Sequence, residues 1–149
     1  MLAVCLIAGA IGYWSAVGAG IATTTADNPE SLVLNEGSPE TQISPGRSAG
    51  VAALATNPNP YEVRISSISL DAGRGTGGFE VDPGHAGCDP AVLSFSPQNN
   101  GGGGWTVPAM EGSTPGSLVI EMPDALAMSS SAADACQGAA LTVYLETGS

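Results

Sequence analysis

The chain has 149 residues, room for one domain and a leader, and it sets 3 basic residues against 14 acidic ones for a net charge of −11. The three basic residues are all arginines (Arg47, Arg64, Arg74), which excludes a phosphate-backbone ligand, because that affinity comes from cations neutralising phosphates. With 21 Gly and 11 Pro but 43% hydrophobic residues in period-2 runs, the composition argues against disorder and for a folded chain rich in turns.

The first 26 residues carry no charge, and Asp27 is the first acidic residue. The strongest apolar stretch, Leu2 to Ile11, has the length of a signal-peptide core rather than of a full span, which needs about 20 apolar residues. The wider window Leu2 to Ala22 is long enough to cross a bilayer, but Gly9, Gly12, Gly18 and Gly20 weaken it as a helix. Residues 1–25 are therefore read as an apolar leader, cleaved or retained as an anchor, that exports a domain over 26–149. Small residues suited to cleavage occur near Ala10–Gly12 and Thr24–Ala26, and a basic n-region is missing. Cys5 is poorly placed for lipid attachment, because Val4 stands where a small residue is wanted.

The body reads as short strands between turn clusters. Expected strands lie at Ser31–Asn35, Gly50–Thr56, Tyr61–Leu70 (with a phase shift at Ser66-Ser67 read as a bulge), Phe79–Val81, Val92–Phe95, Trp105–Val107, Ser117–Met122 and Ala140–Glu146. Asn57-Pro58-Asn59-Pro60 forces a turn, since proline cannot donate to a ladder. No 3.6-residue period appears after residue 26, although Asp124–Ala135 has room for a helical turn. About seven or eight such strands predict an all-β, immunoglobulin-like antiparallel sandwich.

With Cys5 in the leader, Cys88 and Cys136 are left as one expected disulfide; a metal pair would need two further ligands. Gly73-Arg74-Gly75-Thr76-Gly77-Gly78 matches G-x-G-x-x-G, but no helix start follows, so a hairpin loop is preferred to a nucleotide cradle. His85 is the one histidine, with Asp82 and Asp89 close in sequence, yet no serine has a nucleophile-elbow context and catalysis is not expected. Asp71, Glu80, Asp82 and Asp89 offer hard oxygens of the kind that hold Ca²⁺, without EF-hand spacing; surface solvation is the preferred reading, and no cofactor is expected. Tyr61, Trp105 and Tyr144 are the candidate binding aromatics.

The leader running into Gly12-Tyr13-Trp14-Ser15-Ala16-Val17-Gly18-Ala19-Gly20 and a Thr/Ala run, the stretch Thr56-Asn57-Pro58-Asn59-Pro60-Tyr61-Glu62-Val63, Gly87-Cys88, and Met122-Pro123 followed by Asp134-Ala135-Cys136-Gln137-Gly138-Ala139 together resemble small secreted proteins of Gram-positive, mainly actinobacterial, type. The resemblance implies a cell-surface immunoglobulin-like sandwich. More distantly, the layout is similar to the camelysin/TasA group, which implies extracellular fibres in which an N-terminal strand of one subunit completes the sheet of the next. Tyr13, Trp14, Val17 and Ile21 would then belong to a donor strand over Tyr13–Thr25. The expectation is a non-catalytic extracellular or cell-surface structural protein whose partners are further copies of itself or cell-envelope components, with the membrane reached through an uncleaved leader. The alternatives are a carbohydrate- or protein-binding module and an anchored surface domain that does not assemble.

Overall fold

The structure is a computed structural model and describes residues 30–148. The described residues form eleven strands: β1 (Val33–Leu34), β2 (Ser38–Pro39), β3 (Ser48–Asn57), β4 (Val63–Ile65), β5 (Ser67–Leu70), β6 (Phe79–Val81), β7 (Leu93–Phe95), β8 (Trp105–Val107), β9 (Gly116–Met128), β10 (Leu141–Val143) and β11 (Leu145–Gly148). The pairings between them are antiparallel, and the fold is all-β. The main sheet runs β1-β3-β9-β7, with β2 also paired to β3; three two-stranded ribbons, β10-β6, β11-β5 and β4-β8, complete the fold.

The long partners β3 and β9 show why the sheet has one dry face and one wet face. In β3, Ala49, Val51, Ala53, Ala55 and Asn57 are buried while Ser48 and Leu54 are exposed, and the small alanines let the ribbons pack close. Across the register Ile120 and Met122 are buried in β9. The ribbons supply Ile65, Ile68, Phe79, Val107, Leu141, Val143 and Leu145 to the same core, which gives the molecule its sandwich character.

Three expectations about individual strands are corrected. The stretch Tyr61–Leu70 is not one bulged strand. It breaks at Ser66, and its halves serve different partners: β4 pairs with β8, and β5 pairs with β11. Ala140–Glu146 breaks in the same way at Tyr144, with β10 on β6 and β11 on β5, although Leu141, Val143 and Leu145 all point into the core as their alternation demands. A chain that curls between layers changes partners at such points; at Ser66 the change shows in sequence as a phase slip, and at Tyr144 it leaves the alternation intact. Finally, β9 does not stop at Met122. It continues to Met128 through a bulge in which Gly50 alone spans the gap opposite Pro123, Asp124 and Ala125. Pro123 has no amide to lose at a bulge, and Asp124 takes φ 52°, the left-handed region an aspartate tolerates. Within Asp124–Ala135, only Asp134 and Ala135 are helical, as the start of the short 3-10 turn Asp134–Cys136.

Among the described residues no helix is long and apolar enough to cross a membrane. Residues 1–25, read from sequence as an apolar leader, lie outside the described residues.

Candidate functional site

Cys88 and Cys136 form a disulfide, both sulfurs buried, tying the loop after β6 to the loop before β10. The pairing fits folding in an oxidising compartment. Beside it, Asp82 gathers the same two loops. Its carboxylate accepts from the Ala140 amide at 2.7 Å and lies 2.9 Å from Nδ1 of His85. The His85 bond, with help from the Ala140 amide, holds the Asp82 carboxyl below the ordinary aspartate range. A depressed carboxyl contributes stability above its unfolded-state pKa, near pH 4, and the contribution is lost as pH falls through the lower folded value. The melting temperature of the protein should therefore fall on acidification in this window, and less steeply in Asp82→Asn; equal acid slopes in a series of melts from about pH 6 to about pH 2 would count against it.

A second cluster joins the loop after β5 to the Tyr144 break. Arg74 pairs with Glu36 at 2.9 Å and its guanidinium sits 4.2 Å from the Tyr144 ring centroid, while the Tyr144 hydroxyl donates to Glu80. That bond to Glu80 raises the Tyr144 phenol above its ordinary value. The Glu36 carboxyl is lowered, first by its own backbone amide and then by Arg74. Gly75 and Gly78 explain the G-x-G-x-x-G match. Both have positive φ, and a Cβ on Gly75 would meet the Tyr144 ring at 2.7 Å while one on Gly78 would strike Leu70. The glycines are there so that the loop can turn closely against the Tyr144 ring, with Thr76 bridged to Phe79 as in a hairpin.

The four carboxylates considered for Ca²⁺ are each engaged locally. Asp71 accepts from the Gly73 amide, Asp89 from the Ala91 amide, Glu80 from Tyr144, and Asp82 from Ala140 and His85. Among the described residues no three His, Cys, Asp or Glu side chains gather as a metal-holding group. The aromatics do not converge on one platform either. Trp105, opposite Ile65, packs partly into the core; Tyr61 lies beyond the other end of the same ribbon, where Val63 meets Val107; Tyr144 sits between β10 and β11 under Arg74. Tyr13, Trp14, Val17 and Ile21 lie outside the described residues.

Two features were not anticipated from sequence. The first is a buried amide network. Asn57, fully buried at the end of β3, donates through Nδ2 to the carbonyls of Tyr61 (2.7 Å) and Pro108 (3.0 Å), and its Oδ1 accepts from the amide and Nδ2 of Asn59 (3.0 and 2.9 Å). The Asn-Pro-Asn-Pro turn is thereby clamped to the end of β8. The cue in the sequence was a pair of asparagines spaced two apart between prolines, which is equally compatible with a solvated turn.

The second is the edge of β9. Strand β7 pairs only with Leu126–Met128, so among the described residues Gly116–Met122 has a ladder partner, β3, on one side alone. The Leu54 carbonyl accepts from the Asn35 amide and the Gly50 carbonyl from the Glu40 amide, so the even-numbered residues of β3 face β1 and β2. Leu54 is opposite Val119, which makes this a non-hydrogen-bonded pair of the β3-β9 ladder. The amide and carbonyl of Val119, and by alternation those of Ser117 and Glu121, therefore point to the open edge. The same three side chains lie on the outer face of the sheet, where Val119 is 62% exposed, Leu54 beside it 37%, and Val33, on the far side of β3 opposite Thr56, 51%. This edge and its apolar strip form the feature of the surface best suited to receiving another polypeptide.

Comparison with known proteins finds no matching family model, no matching curated protein and no matching solved structure.

Proposed function

We propose that the protein is a non-catalytic extracellular or cell-surface structural protein that associates with further copies of itself. The observation that carries this reading is the β9 edge: the stretch Gly116–Met122, in which Ser117, Val119 and Glu121 turn their amides and carbonyls outward beside exposed Val119 and Leu54. Soluble proteins ordinarily blunt such an edge with charges, proline, a bulge or a cover, and from Gly116 to Met122 this one carries a single charge, Glu121, with proline and bulge only beyond it. The disulfide, the uncharged apolar leader and the acidic surface are in keeping with life outside the cell. Filament growth requires a head-to-tail contact, for which the N-terminal stretch Tyr13–Thr25, uncharged and rich in small residues, is the proposed donor strand.

Electron microscopy of the purified protein at rising concentration tests the reading. Filaments or sheets are the expected result, and deletion of residues 13–25 should abolish the filaments. A chain that stays dispersed under all conditions and instead retains glycans on a glycan array would overturn it in favour of a recognition module.

A further inference from the structure

The sequence along the open edge is compatible with itself. Reading Ser117-Leu118-Val119-Ile120-Glu121 against a second copy in antiparallel direction, with the two-fold axis at Val119, places Val119 opposite Val119, and Ser117 opposite Glu121 in both directions. The one charged residue of the segment thus meets a neutral hydroxyl rather than its own copy, so like charges are never directly opposed. All three residues that would form hydrogen-bonded pairs in this register, Ser117, Val119 and Glu121, are those whose amides and carbonyls already point outward. The two outer faces would fall on the same side of the joined sheet, bringing Leu54 and Val119 of each copy into one apolar strip. The bulge at Pro123 and Asp124 ends the matching segment at Met122.

We infer that β9 pairs with β9 of a second copy through residues 117–121, joining two main sheets into one continuous sheet by a two-fold contact. The inference rests on the reading of the protein as self-associating, but it concerns a closed pair and not the open head-to-tail contact of a filament. Because each copy carries a net charge of −11, the pairing should strengthen with ionic strength.

The full chain, followed by sedimentation, should show dimers whose fraction rises with concentration and salt. Val119→Glu places like charges directly opposite each other at the axis and should weaken the pairing by roughly tenfold or more without changing the circular dichroism spectrum. In a Cys5→Ser background, Val119→Cys should give a covalent dimer on mild oxidation, since hydrogen-bonded pairs place their Cα atoms about 5.5 Å apart, within disulfide reach. Ser117→Cys alone should not cross-link, whereas Ser117→Cys combined with Glu121→Cys should. A chain monomeric throughout, a V119E variant that dimerises as the parent does, or cross-linking through Ser117→Cys alone would overturn the inference. Dimers lost on deleting residues 13–25, with V119C failing to cross-link, would overturn it by assigning the edge to the N-terminal segment. Dimers that cross-link as expected but never lengthen would sustain the pairing and remove the filament reading; filaments that survive V119E with no cross-linking through V119C would do the reverse.

Discussion

Replacing Asn57 by alanine should destabilise the domain by roughly 3 kcal/mol, although the side chain is small and uncharged. The reason is what the substitution strands. The carbonyls of Tyr61 and Pro108 lose their donor, the Asn59 amide and side chain lose their acceptor, and Asn57 is fully buried, so water cannot replace it without opening the corner. Each stranded buried group costs about 1–3 kcal/mol, and the Tyr61 and Pro108 carbonyls, only part-buried, can be rehydrated in part, which keeps the total below the sum. Asn57→Asp is the sharper test. It keeps the acceptor for Asn59 but turns a carboxylate towards two carbonyls, so it should be at least as destabilising at neutral pH and recover on acidification, when a protonated acid can donate again. Urea denaturation of both variants at two pH values would read this out. An Asn57→Ala variant within about 0.5 kcal/mol of the parent would show that the network contributes little.

The second large effect belongs to the disulfide. Cys88 and Cys136 are 48 residues apart, and opening a loop of that length restores about 4 kcal/mol of chain entropy to the unfolded state. The double variant Cys88→Ala, Cys136→Ala should melt roughly 15 °C lower than the oxidised parent, and the parent should behave likewise under strong reductant. Identical melting curves with and without reductant would sink this expectation. The loss should be partly local: with the staple gone, the links from Asp82 to the loop before β10 are its carboxylate, which accepts from the Ala140 amide, and its own amide, which donates to the Ala140 carbonyl.

How much of this was readable in advance depends on whether a residue's role is local. Phe79–Val81 and Trp105–Val107 are found where alternation and flanking turns put them, because a short edge-to-edge ribbon needs only its own pattern. The core-facing set Leu141, Val143 and Leu145 was equally legible. Partner changes at Ser66 and Tyr144 were not: across Tyr144 the alternation runs on unbroken, and at Ser66 the phase slip reads equally well as a bulge, so only the partner's position reveals the break. The extension of β9 past Pro123 was hidden for a different reason. Proline and a left-handed aspartate are ordinary strand terminators, and only the matching gap at Gly50 in β3 turns them into a bulge. Of the candidate sites, the cysteine pair was legible by arithmetic. The open edge was not, because the strand reads the same from either side, and which side lacks a neighbour is a property of the whole sheet.

The position of the disulfide has a mechanical consequence. Strands β7, β8 and β9 all lie between Cys88 and Cys136, inside a covalently closed ring. If a molecule is pulled by its two ends, tension passes across the sulfur bridge and bypasses the ring. About 170 Å of potential contour length, 48 residues at about 3.6 Å each, is thereby withheld from extension. Single-molecule pulling should show a contour-length gain shorter by that amount in oxidised protein than in reduced protein. Strand β9 and its open edge sit within the shielded segment, so a load that strips away β1 to β5 does not draw β9 out into an extended chain.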